Sequence, residues 1–221
     1  MIRYCSLIEA PEIVSESPST RWGITYTNKA SFQFNNSVRQ LQGKTNLVSE
    51  GDYLISTQTL YHTNITNGDR FIVSGLGNIV NVEEWVRGVE KKVRVRLQTF
   101  VLRNIDTDQE IEVLSCLENF ESEKAFLTIQ QKQALIIYRG KISENCLKRN
   151  EILFDPICNP ASFKHSYSIT AQRAQGSEID DVVLMVRSLK ELKRYPNGKN
   201  WIYTAATRAK KNLWICEDQR L

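Results

Sequence analysis

Between Glu50 and Leu117 the chain strings together short β-branched and aromatic runs with no helical stretch, while on both sides strands alternate with helices. The helix-free part reads GDYLIS, NGDRFIVSGLG, KKVRVRLQTFVL and QEIEVLSCL, punctuated by turn residues at Asn67-Gly68 and Asn104-Ile105-Asp106. Val93, Val95 and Leu97 alternate with Arg94, Arg96 and Gln98, which is the period of a half-buried strand. Four or five such strands predict a small β-barrel inserted into a larger α/β domain.

The flanks supply that domain. WGITYT, residues 22–27, predicts a buried strand, Asn28 an N-cap, and KASFQFNNSVRQL a helix with Phe32, Val38 and Leu41 on one face, ended by Gly43. After the insert, residues 120–149 are rich in Glu, Lys, Gln and Leu and predict helix, with Gly140 as a weak point, and Asn159-Pro160 closes a loop. HSYSITAQ returns to strand character, IDDVVLMV predicts a buried parallel strand, NWIYTAATRAKK a helix and NLWIC a last strand. The organisation expected is 1–48 as the first part of the α/β domain, 49–118 as the barrel, and 119–221 as a helical connection with the rest of the α/β domain.

At 221 residues and 41 % hydrophobic, the chain is long enough to bury a sizeable core. The net charge of +4 is modest, but basic residues cluster in EKKVRVR (90–96), KELKR (190–194) and RAKK (208–211), which permits an anionic partner. Five cysteines, Cys5, Cys116, Cys146, Cys158 and Cys216, are widely spaced without a C-x-x-C pair, and only His62 and His165 could join them. Neither a disulfide framework nor a zinc site is expected, and a reducing cytoplasm fits. MIRYCSLIEAPE contains no apolar stretch of signal length, and ALIIY and DVVLMV are too short to span a bilayer.

RQLQGKTNL, residues 39–47, ends like a phosphate-binding loop at Gly43-Lys44-Thr45. Such a loop needs a second glycine five places earlier, where this chain has Val38, and a strand in front, where it has a helix. Lys44 and Thr45 are therefore expected to be the solvated exit of that helix. Gly140-Lys141 and Gly198-Lys199 fail the same test, and no apolar run ends in the acid of a Walker B strand. Nucleotide chemistry, if this chain takes part in it, needs a second polypeptide segment.

Polar residues are densest in YSITAQRAQGSEIDDVVL (167–184) and WIYTAATRAKKNLWI (201–215). In open α/β sheets ligands meet the loops at the carboxyl ends of strands, so Thr170, Gln172, Arg173, Gln175, Gly176, Ser177 and Glu178 form a candidate binding loop. TAQRAQGSE resembles motif V of superfamily one DNA helicases, T-x-H-K-[SA]-Q-G-x-E, and WIYTAATRAKK resembles their motif VI, Y-T-A-[ILV]-T-R-[AG]. YTNKASFQFNNSVR is similar to the segment that opens the second motor domain in the RecD-like and Dda-like branch, and GDYLIS with NGDRFIVSGLG to that branch's inserted SH3-like barrel. The resemblance runs in order from about Trp22 to the end of the chain.

The resemblance implies a RecA-like, P-loop-NTPase-like domain without its own P-loop, carrying an SH3-like barrel, and half of an ATP-dependent motor moving 5′ to 3′ on single-stranded DNA. ATP and Mg2+ would be held mostly by an N-terminal RecA-like motor domain, in cis or in trans. On that template Arg208 is the arginine finger, Gln175, Gly176 and Glu178 face the nucleotide, and no metal ligand is expected. Thr27, Asn28, Lys29, Thr170, Gln172 and Arg173 face the DNA strand. Gln172 stands where the family usually has His, and Arg173 where it has Lys.

Other readings stay open. A non-catalytic module that binds single-stranded nucleic acid with a helicase-derived fold, or a subunit completing an ATPase in trans, fits the same motifs. Glu178 and Asp180 could cap a turn, and Arg94 and Arg96 are expected on the solvated face of a strand. Trp22, Trp85, Trp201 and Trp214 could serve as base-stacking platforms, but their apolar surroundings favour core packing for three of them.

Overall fold

The computed structural model describes residues 1–124, 126–143, 148, 151–186 and 197–217, so the KELKR cluster and Cys146 lie outside the described residues. The elements begin β1 (Ile2–Ser6), α1 (Ala10–Glu16), β2 (Arg21–Thr25) and α2 (Asn28–Leu41). Next come β3 (Tyr53–Ser56), β4 (Arg70–Glu84), β5 (Val93–Asn104), β6 (Glu110–Cys116), a 3-10 turn at Leu117–Phe120, and α3 (Ile129–Ile142). The chain closes with β7 (Phe163–His165), β8 (Ser168–Thr170), β9 (Ile179–Met185), α4 (Gly198–Ala206) and β10 (Ala209–Glu217). Two compact units result: Met1–Asn46 with His165–Leu221, and Leu47–Lys164.

The first unit is α/β, built on a five-stranded parallel sheet in the order β1-β10-β9-β2-β8. Val182, Val183 and Leu184 of β9 are all buried, which is why that strand reads as a continuous apolar run rather than an alternating one. On α2 the buried face is Ser31, Phe34, Asn35 and Val38, spaced at helical period, whereas Leu41 is 54 % exposed. The expected stripe of Phe32, Val38 and Leu41 is thus corrected. Gly23 lies in β2 beneath that helix, and a Cβ there would stand 2.6 Å from Met185 Cε, 3.0 Å from Ser168 Cβ and 3.1 Å from Phe34 Cε1. The close approach of helix to strand requires glycine.

β1 and α1 are additions that the sequence did not signal. β1 pairs with β10 in parallel register, Cys5 opposite Cys216 with Cα atoms 4.7 Å apart, and the two are joined by a disulfide. This overturns the expectation of unpaired cysteines and removes the ground for expecting a reducing cytoplasm. Cys116 and Cys158 are free and buried. Among the described residues no helix is long and apolar enough to cross a membrane.

The second unit holds a sheet in the order β6-β5-β4-β3-β7, with β3 to β6 antiparallel. A bridge between Ser115 and Ala161 links β6 to the residues just ahead of β7, and Ala161 N–H donates to Leu114 O at 2.8 Å. Leu54, Phe71, Val73, Phe100, Leu102 and Phe163 fill its core. The four expected strands are present, but β4 runs on to Glu84, with register shifts between Val73 and Gly75 and between Leu76 and Ile79 that leave Ser74, and then Gly77 and Asn78, outside the ladder. The helix expected over 120–149 is confined, among the described residues, to α3, started by a capping box of Thr128 and Gln131. Residues 119–164, joined in the sequence reading to the flanking domain, fall with the β-rich unit. Arg94 stands exposed on the outer face of β5, as expected, and Arg96, half-buried on the same face, meets Glu118 at 3.0 Å and Glu121 at 2.8 Å.

Candidate functional site

Polar residues expected to act together fall into two groups, both in the first unit. The first lies where β2 and β8 end side by side, Thr25 opposite Thr170. Thr27 rather than Asn28 is the N-cap of α2, its hydroxyl accepting from Ala30 N–H at 3.1 Å, so Asn28 and Lys29 occupy the first helical turn. All three are exposed, and N–H groups of that turn have no partner within the helix. Thr170 O accepts from the N–H groups of Arg173 (3.0 Å) and Ala174 (3.1 Å), folding the next residues into a tight turn. Ala171 and Ala174 are buried by that turn, which leaves Gln172 and Arg173 exposed on its outer side. Tyr26 meets Trp201 of α4 edge to face, with ring centroids 5.4 Å apart.

The second group lies at the opposite end of the sheet. Because β9 runs parallel to β2, the chain between Thr170 and Ile179 must travel from the end of one strand to the start of another. Gly176, at φ +84°, permits the reversal, and Ser177 N–H donates to Ala174 O at 3.1 Å. Glu178 and Arg208 then immediately precede β9 and β10, whose first residues pair as Ile179 with Ala209. Ile179 N–H donates to Arg208 O at 2.9 Å, locking the two segments together. Only the first part of the loop therefore lies at strand carboxyl ends, and Ala209, expected on the helix with Arg208, begins a strand.

Arg208 is half-buried at the end of α4. Its Nε donates to Thr204 O at 3.2 Å, Nη2 to Thr207 Oγ1 at 3.3 Å, and Nη1 reaches Ser177 O at 3.5 Å. The guanidinium is thus steered by helix-end carbonyls, where positive charge is favoured, toward the loop that carries Gln175, Gly176 and Glu178. Glu178 is exposed and pairs with Lys210 at 2.8 Å. That hydrogen bond, then the charge of Lys210, and to a lesser degree that of Arg208, hold its carboxyl below the usual range, against a small opposing effect of burial. Lys211 pairs with Asp180 at 2.8 Å, so RAKK is partly neutralised where it stands.

Two features escaped the sequence reading. Asn35 is buried in α2, where its side-chain amide donates to His165 O (2.9 Å) and Ser168 O (3.1 Å) and accepts from Ser168 N–H at 2.7 Å. Ser31 Oγ adds a bond to Ser168 O at 2.7 Å, so α2 holds the strand that leads into Thr170. The available signal was Ser31 and Asn35 set four apart on one face with Phe34 and Val38. Lys44 is the other: it donates to Tyr167 OH at 3.0 Å instead of standing in solvent. Gly43, at φ +70°, ends α2 with Lys44 N–H returning to Arg39 O at 2.9 Å, a helix stop rather than a phosphate cradle.

Residues 165–216 match the family described as UvrD-like helicase C-terminal domain. An uncharacterised protein of Methanocaldococcus jannaschii is 38 % identical over 58 residues, covering 26 % of this chain and 5 % of its own. Among solved structures, Pif1 helicase from Bacteroides, determined with ADP-AlF3 and single-stranded DNA, is similar over 97 % of this chain and 45 % of its own, at 10 % identity and a TM-score of 0.49. Pif1 helicase from Candida albicans is similar over 89 % of this chain and 44 % of its own, at 14 % identity and a TM-score of 0.44. The chain spans less than half the length of either helicase. The family match takes in β8, the loop from Ala171 to Glu178, α4 and Arg208, so the segment carrying both polar groups, apart from Thr27 to Lys29, is similar in sequence to the C-terminal domain of UvrD-like helicases.

Proposed function

We propose that this chain is the second motor half of an ATP-dependent DNA helicase of superfamily one, from the RecD-like or Dda-like branch, translocating 5′ to 3′ on single-stranded DNA. The first unit is its RecA-like domain, and residues 49–118 within the second are its inserted SH3-like barrel, a reading supported by the bridge from Ser115 to Ala161. The observation that carries the proposal is the clasp of Ile179 N–H on Arg208 O, inside the family match, which sets the arginine of one motif beside the glutamate of the other.

ATP and Mg2+ would be held mostly by an N-terminal motor domain in cis or in trans, since Gly43-Lys44-Thr45 forms a helix stop. What this chain contributes is one guanidinium and a polar edge. Arg208 would meet charge developing on the transferred phosphoryl oxygens, Gln175 and Gly176 would border the nucleotide, and Glu178 would lie near its ribose. Thr27, Asn28, Lys29, Thr170, Gln172 and Arg173 would hold the phosphates of the strand.

Isolated from its own cells with an antibody against this chain, together with whatever carries the P-loop, the protein is expected to hydrolyse ATP when single-stranded DNA is added. Arg208→Ala should lower kcat by about 10³-fold or more. An unchanged kcat in that variant would remove the arginine from the mechanism. An isolated protein that binds DNA without hydrolysis would favour the non-catalytic module.

A further inference from the structure

The hairpin of β4 and β5 ends in a turn, WVRGVEKK (85–92), whose basic residues have no part in the site above. Strand alternation continues past the end of β4: Val82, Glu84 and Val86 are buried, while Asn81, Glu83, Trp85 and Arg87 face outward. Val82 and Val86 pack with Val95, Leu97 and α3 residues Ala134 and Leu135, so the inner side is filled. Trp85 is left 61 % exposed. Gly88, at φ +81°, allows the reversal, and Val89 N–H donates to Val86 O at 3.1 Å, which fixes the turn that presents the ring.

The charges sort cleanly. Arg94 is neutralised by Glu83 at 2.7 Å, and Glu84 by Lys141 at 2.5 Å. Arg87, Lys91 and Lys92 are exposed and make no ion pair among the described residues, with Glu90 the only carboxylate in the turn. An accessible indole flanked by three uncommitted cations matches unpaired bases on a phosphodiester chain: the ring offers a stacking face, the cations neutralise backbone charge. Duplex bases are already stacked and gain nothing from the ring.

We propose that this hairpin tip is a binding site for single-stranded nucleic acid, with a base stacked on Trp85 and adjoining phosphates held by Arg87, Lys91 and Lys92. The choice of partner rests on the function proposed above, but the site lies in the other unit and shares no residue with the strand-binding group there.

The test is equilibrium binding of the full chain to short oligothymidylate and oligouridylate, read by tryptophan fluorescence and by polarisation of a labelled strand across a salt series. Trp85→Ala should weaken binding by about fivefold or more, and Trp85→Phe, which keeps a stacking face, by much less. Replacing Arg87, Lys91 and Lys92 together with alanine should lower the slope of log affinity against log salt by about 2. Equal loss on both strands means the backbone and base faces are read, and a preference for one means the sugar is read as well. The site is refuted if both hairpin variants bind like the native chain, if the native chain binds neither strand, or if polyglutamate of equal charge competes as well as the oligonucleotides. Lys29→Ala with Arg173→Ala separates the two readings: loss there alone sinks the hairpin, and loss in the hairpin variants alone sinks the strand track of the first unit.

Discussion

Asn35 shows how one buried amide can govern a loop it never touches. It takes Ser168 N–H and gives to two carbonyls, and Thr170 lies two residues further on. Asn35→Ala would strand Ser168 N–H in the interior and should cost about 1–3 kcal/mol, read as a lower urea midpoint with faster amide exchange at Ser168. An unchanged midpoint would mean the segment has other support. Its place on one face with Ser31, Phe34 and Val38 marked Asn35 as inward, but no local pattern could name its partners, which lie 130 residues away or more. Arg208 was legible for the opposite reason. Its neighbours in WIYTAATRAKK form a local pattern, and the short register from Ile179 to Ala209 turns that pattern directly into a juxtaposition.

Among the elements, strands with strong local patterns were readable and those defined by partners were not. IDDVVLMV became β9 because a strand buried on both faces is apolar throughout. IRYCS has no such signature: β1 lies at the end of the sheet order and its side chains are mostly exposed, so only pairing with β10 makes it a strand. Gly75 and Gly77 read as the end of a strand, yet β4 passes through both by shifting register. Gly23 is the clearest element-level test. Gly23→Ala pushes a methyl into Met185, Ser168 and Phe34 where α2 lies on β2, and should destabilise the protein by about 1–3 kcal/mol in urea unfolding. A neutral result would show that α2 can shift away from the sheet.

Over the molecule as a whole, the disulfide between Cys5 and Cys216 spans a sequence separation of 211 residues. Chain entropy alone assigns such a long closure about 5 kcal/mol of stability. Reduction should therefore lower the urea midpoint, and the double variant Cys5→Ser, Cys216→Ser should unfold like the reduced protein. Identical midpoints with and without reductant would show that the bond adds nothing. Composition could not reveal this pair, since cysteines that distant are brought together only by a parallel register that no local pattern encodes.

The sheet order carries one more consequence, in time rather than space. β1 is made well ahead of its neighbour β10, and the contiguous Leu47–Lys164 lies between them in the chain. At ribosomal rates of about 5–20 residues per second, β1 waits on the order of ten to forty seconds for its partner. The β-rich unit is complete within that interval, which gives it time to fold before β1 and β10 can pair.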